Sequence, residues 1–183
     1  MRSLFAGVLM ATVVSAASYP PSKHAWSEYR HDLTGVRAVG GASAGALWGQ
    51  AFNKPHEWGQ GLAGFAKRFG SGLGKHAVKT TIETPLAAFL HENLHYQRSN
   101  LQGSWPRLQY AVKSTFIVPR TNKPGQTVAV SRLSGNLGAG LISRAWQPAS
   151  TAGIGAGIVS GGVGLGADVG LNVAREFWPR KHR

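Results

Sequence analysis

Cysteine is absent from the 183 residues, and that absence removes several readings at once. No disulfide framework, cysteine zinc site or thiol nucleophile can be built. No cysteine follows the N-terminal apolar run to carry a lipid anchor. Acidic residues are scarce: 7 Asp and Glu face 20 Lys and Arg, for a net charge of +13. The apolar run at Leu4–Val14 is too short to span a bilayer.

What stands around that run identifies it. Met1 and Arg2 give a short positive start, LFAGVLMATVV follows, and Ser15-Ala16-Ala17-Ser18 supplies small residues. This order reads as a secretory signal peptide over 1–17, cleaved near Ala16 or Ala17. Export without cysteine suits the periplasm or outer envelope of a bacterium. Loss of Arg2 leaves the mature chain at +12, a charge that attracts polyanions. Export argues against nucleic acid and for anionic lipid or an envelope polymer as partner. The bland alternative is a solvated basic surface with no dedicated partner.

The remaining chain reads as mainly α. An N-terminal arm over 18–33, with two prolines, precedes a single helical domain over 34–179 and a basic tail over 180–183. Val36, Val39, Ser43, Leu47 and Ala51 recur at helical spacing, and so do Trp58, Leu62, Phe65, Phe69, Leu73 and His76. Pro55 suits the first position of that second helix. Pro85 should break or restart it, with Thr84 as N-cap and a new helix over about 85–96. Residues 97–106 read as a loop. Pro124-Gly125 marks a turn, and a short β-hairpin fits near 110–131, although 107–115 also suits a helix. Leu133, Leu137, Leu141 and Ala145 lie four apart, giving a helix before Pro148.

The last segment, AGIGAGIVSGGVGLGADVGLNVAREFW, has two periods. Ile154, Ile158, Val169, Val173 and Phe177 fit a helix. Val163 to Val173 also alternate as in an outer-membrane barrel strand. Helical neighbours favour the helix. Gly153, Gly157 and Gly161 step by four, which permits close helix packing, in or on a membrane or inside a soluble bundle. The same faces would allow a homo-oligomer. Asp168 interrupts the run, and glycine adds little apolar surface, which counts against a spanning helix.

Two motifs point to chemistry. His91, Glu92 and His95 form H-E-x-x-H. On one helix turn, His91 and His95 could hold Zn²⁺ while Glu92 acts as general base on metal-bound water. A third ligand is then required, and downstream only Asp168, Glu176 and His182 are candidates. The extended H-E-x-x-H-x-x-G-x-x-H form is absent. No cofactor is expected unless this motif binds zinc, and the other reading is two histidines that pack or cap at a helix end. Gly41-Ala42-Ser43-Ala44-Gly45 fits G-x-S-x-G, and VGGASAGA resembles the nucleophile segment of patatin-like lipases. The upstream oxyanion loop and downstream Asp-Gly of that pattern are missing, so a helix face of small residues is the plainer reading.

The segments HEWGQGLAGFAKRFGSGLGKH, LHENLHYQRS, RLQYAVKSTFIVPRT and NVAREFWP resemble a family of exported bacterial proteins with no established activity. The resemblance implies export and one domain over most of the chain. Some members of that family depart from H-E-x-x-H at the position of His95, which weighs against a protease. The expected molecule is therefore a mainly α, single-domain bundle of glycine-rich amphipathic helices. It would act by binding or by membrane association, with a small zinc hydrolase as alternative and a serine hydrolase as a distant third.

Overall fold

Small residues, rather than large apolar ones, make the helix contacts. The computed structural model describes residues 33 and 35–179. The expected signal peptide, the expected arm apart from Leu33, and the basic tail lie outside the described residues. Among the described residues there are five α-helices: α1 Val36–Ala51, α2 Gly61–Leu90, α3 Ser104–Phe116, α4 Val130–Ile142 and α5 Ile154–Phe177. Between α3 and α4 stands a two-stranded antiparallel hairpin, β1 Ile117–Pro119 and β2 Gln126–Val128, with Val118 opposite Thr127. Gly125 turns it with φ of +126°. The chain is a mainly α-helical single domain.

α1 packs on α2, α2 on α4, α4 on α5, and α3 on α5. On α1 the buried stripe is Ala38, Ala42 and Ala46, four residues apart. Ala42 meets α2 where Gly72 has no side chain; a Cβ there would lie 3.1 Å from that of Ala42. α4 and α5 approach most closely. A Cβ on Gly140 would lie 2.6 Å from the Gly161 nitrogen, and one on Gly161 would lie 2.9 Å from the Leu137 Cα. Backbone here packs on backbone, the geometry that small residues at four-residue spacing allow.

Two sequence expectations change. α2 does not restart at Pro85 but runs through it for 30 residues. Pro85 is exposed, so its ring and the hydrogen bond it removes fall on the open side, while the opposite face of α2 keeps its packing on α4. Nor does the apolar period mark the interior. Leu62 is 85% exposed, and the buried positions of α2 are Gly64, Arg68, Ser71, Thr80 and Ala87. Leu137 and Leu141 of α4 and Ile154 and Ile158 of α5 are likewise exposed. The segment over 163–173 is helical, within α5.

The burial pattern is thus inverted. Among the described residues every buried apolar side chain is an alanine except Val118, and the largest fully buried side chains are Glu176, Thr115, Ser131 and Ser143. No leucine, isoleucine, phenylalanine or tryptophan is buried among them.

The α4–α5 crossing makes the first prediction. Gly161→Ala forces backbone apart and should lower stability by about 1–3 kcal/mol. Gly162→Ala meets open space and should be neutral or raise stability by up to ~1 kcal/mol through helix propensity. Denaturation midpoints of the two variants check this; equal effects would remove the close crossing as the cause.

Candidate functional site

The H-E-x-x-H residues stand at a helix end, not along a helix. α2 stops at Leu90, and His91 takes the left-handed conformation with φ 55° and ψ 41°. His91 N donates to the Ala88 carbonyl at 3.3 Å and Glu92 N to the Ala87 carbonyl at 2.9 Å, which closes the helix as a Schellman motif. The following residues join the hairpin: Asn93 N donates to Pro119 O and Thr121 N to His91 O, both at 2.9 Å. The helix expected over about 85–96 therefore ends where its zinc face would begin.

Glu92 is buried and fully occupied. Its Oε1 accepts from Val130 N at 3.0 Å, and its Oε2 accepts from Ser131 N at 3.1 Å and from the Ser131 hydroxyl. These are free N–H groups of the first turn of α4, where a carboxylate also meets the positive end of the helix dipole. His91 and His95 are exposed. Of the third-ligand candidates, Asp168 is held by Lys79 and Asn136, Glu176 is held by Tyr96, Ser99 and Arg107, and His182 lies outside the described residues. Among the described residues no group of three or more His, Asp or Glu is placed to hold a metal ion. Ser43 sits midway along α1, inside a helix and not at a strand-to-helix turn, so Gly41 to Gly45 form a helix face rather than an elbow.

The structure brings together a different set of residues. A cavity of about 460 Å³ lies between α1, α2, α4 and α5, with Leu94, His95 and Tyr96 lining it as well. Lys75, His76, Lys79 and Glu83 enter it from α2, Arg132 and Asn136 from α4, and Ser160, Asp168 and Asn172 from α5. Lys79 Nζ lies 2.6 Å from both Asp168 carboxylate oxygens, and Asn136 Nδ2 donates to Asp168 at 2.8 Å. Glu83 stands 3.7 Å from both Lys79 and Arg132. Arg132 also donates to the carbonyls of Ser114, Thr115 and Leu94. Lys75 Nζ donates to the Ser160 hydroxyl at 3.0 Å. The groove can bind charged or strongly polar groups.

Two further clusters hold its ends. Glu176, fully buried, accepts from Tyr96 Oη at 2.7 Å, Ser99 N at 3.0 Å, Ser99 Oγ at 2.5 Å and Arg107 Nε at 2.9 Å. Burial, then the hydrogen bond to Glu176 and its charge, push the Tyr96 phenol above its usual value. At the other end, Arg68 ties down the α1–α2 loop by donating to the carbonyls of Lys54, Pro55 and Gly59 at 2.7–2.9 Å.

No protein-family model, curated protein or solved structure matches the chain. Sequence reading missed Lys75, Lys79, Glu83, Arg132 and Asn136. One signal was present: Lys75, Lys79 and Glu83 step by four, and charges on one face of a helix rich in small residues are a stripe.

Two predictions follow from these contacts. His91→Gly should keep or raise stability, because glycine accepts the left-handed conformation freely, whereas His91→Val should cost about 1–2 kcal/mol. Glu92→Ala strands buried donors and should cost about 1–3 kcal/mol, with faster amide exchange confined to the first turn of α4. Thermal unfolding and hydrogen exchange measure both, and a stable Glu92→Ala variant with unchanged exchange would remove the capping role.

Proposed function

We propose that this protein is an integral helical membrane protein of a bacterial envelope, with lipid on its apolar outer faces and a polar groove that binds a charged ligand. The observation that carries this reading is the inverted burial: ionised and polar groups inside, large apolar side chains outside. In water both halves of that pattern are unfavourable. Contiguous exposed apolar surface is rare on soluble monomers, and buried ions cost several kcal/mol each before pairing. In a bilayer the outside is apolar by design, and charged side chains turn inward and pair.

Three features support it. α5 is the one described helix long and apolar enough to cross a membrane, and only 11% of its most apolar stretch is buried within the molecule. A soluble core helix of that composition would be mostly covered. At 24 residues it is about 36 Å long, enough for the roughly 30 Å hydrocarbon layer. Asp168, expected to count against spanning, faces Lys79 and Asn136 instead of lipid.

The outward sides of α4 and α5 carry no charge, because Arg132, Asp168, Arg175 and Glu176 are buried or half-buried. Tryptophans stand at both ends: Trp48 and Trp146 beside the start of α2 and the end of α4, Trp105 and Trp178 beside the other. Aromatic rings gather in this way at membrane interfaces. Lys54 and Lys67 at the first end, and Arg98, Lys113 and Arg120 at the second, suit anionic headgroups.

The full chain should therefore stay with the membrane pellet through an alkaline carbonate wash and need detergent for extraction. Val163→Glu, on the outer side of α5 at a position 67% exposed, should shift protein out of that pellet, since a central acidic residue costs about 2.5–3.5 kcal/mol on the insertion scale. At a water-facing position the same change would stay within about 0.5 kcal/mol. A wild-type chain that stays soluble and folded without detergent, with Val163→Glu indistinguishable from it, would refute the bilayer reading.

A further inference from the structure

The interior charges do not balance. Lys75, Lys79, Arg132 and Arg175 line the groove against two carboxylates, Glu83 and Asp168. Asp168 is taken up by Lys79, and Glu83 lies between Lys79 and Arg132. Lys75 carries part of the surplus positive charge. Among the described residues no carboxylate is within ion-pair distance of it, and its hydrogen-bond partner is the neutral Ser160 hydroxyl. A half-buried ammonium with one neutral partner is under-compensated. Its remaining protons face a cavity of about 460 Å³, far more than a single ion or water needs.

We infer that the groove is a phosphate site, in which a phosphate group enters between α1 and α5 and rests on the Lys75 ammonium beside the Ser160 hydroxyl. The donor chemistry fits. Lysine binds phosphate as a point charge. Ser160, accepting from Lys75, keeps its own proton for a phosphate oxygen. Gly41 on α1 lines the same cavity, and nothing lies within 4 Å of where its Cβ would stand, which leaves room for several oxygens. The negative charges nearby are already neutralised by Lys79 and Arg132, so an incoming anion meets net attraction. The phosphate comes either from an anionic phospholipid headgroup or from free inorganic phosphate. This deepens the binding role proposed for the groove but does not depend on the bilayer, because free phosphate would reach the same residues in a water-soluble chain.

The test uses the purified full chain in a neutral detergent. Labelled inorganic phosphate is titrated by equilibrium dialysis, and in parallel the protein is placed in phosphatidylcholine nanodiscs with or without phosphatidylglycerol, scoring retained phosphatidylglycerol. Lys75→Met keeps the stem without the charge, and Ser160→Ala is the second variant should Lys75→Met fail to fold; unfolding transitions verify both. One of the two phosphate sources should bind, and Lys75→Met should weaken it at least about tenfold, as loss of a charge-assisted contact does. Binding of the free ion identifies the soluble source; selective retention of phosphatidylglycerol identifies the lipid. Binding of neither, or binding that both variants leave unchanged, overturns the proposal. Carbonate extraction scores the bilayer reading separately.

Discussion

Lys79 and Asp168 meet at 2.6 Å in the interior, and much of the packing serves that contact. They stand on α2 and α5, with α4 between them. A buried pair of charges is stable only when short and fully hydrogen-bonded, so α4 must be thin where it passes. Gly135 faces Glu83 and Lys79 on one side, and Gly140 faces Gly157 and Gly161 on the other. Asn136, between them, donates to Asp168. The glycines and the ion pair are therefore one feature: small residues bring the backbones together, and polar groups hold them there.

A core of this kind makes little of the hydrophobic effect. Alanine and glycine bury little apolar area each, whereas no described Leu, Ile or Trp is fully buried. The hydrogen-bonded clusters around Glu176, Arg68 and Asp168 do the joining instead, and among the described residues no buried side-chain polar atom is left without a partner. Such bonds gain value when the surroundings are apolar and water does not compete. The proposed lipid contact and anion site rest on the same physics, an apolar exterior and a half-buried ammonium with a neutral partner.

H-E-x-x-H shows how a chemical motif can be absorbed by architecture. His91 supplies a left-handed residue, for which histidine is more tolerant than most side chains. Glu92 spends both oxygens on the start of α4. Asn93 continues the pairing onto β1. Each residue has a backbone task, and the spacing that resembled a zinc face arises where one helix ends and another is capped.

Helix content was legible because periodicity is local. The four-residue steps of Leu133, Leu137 and Leu141, and of Gly153, Gly157 and Gly161, place α4 and α5 correctly, and the Pro124-Gly125 pair places the hairpin turn. The sequence by itself also determined the absence of cysteine chemistry, the basic charge and which residues share each helix face. Which face turns inward was decided only by tertiary structure. Periodicity reports that a helix has two sides but not which side packs. The expectation that large apolar side chains turn inward assigns Leu62 and Ile158 to the core, where Arg68 and Asn172 stand instead. The end of α2 at Leu90 and its passage through Pro85 were decided in the same way. They depend on hydrogen bonds from Val130 and Ser131 and on contacts with α4, some forty residues further along the chain.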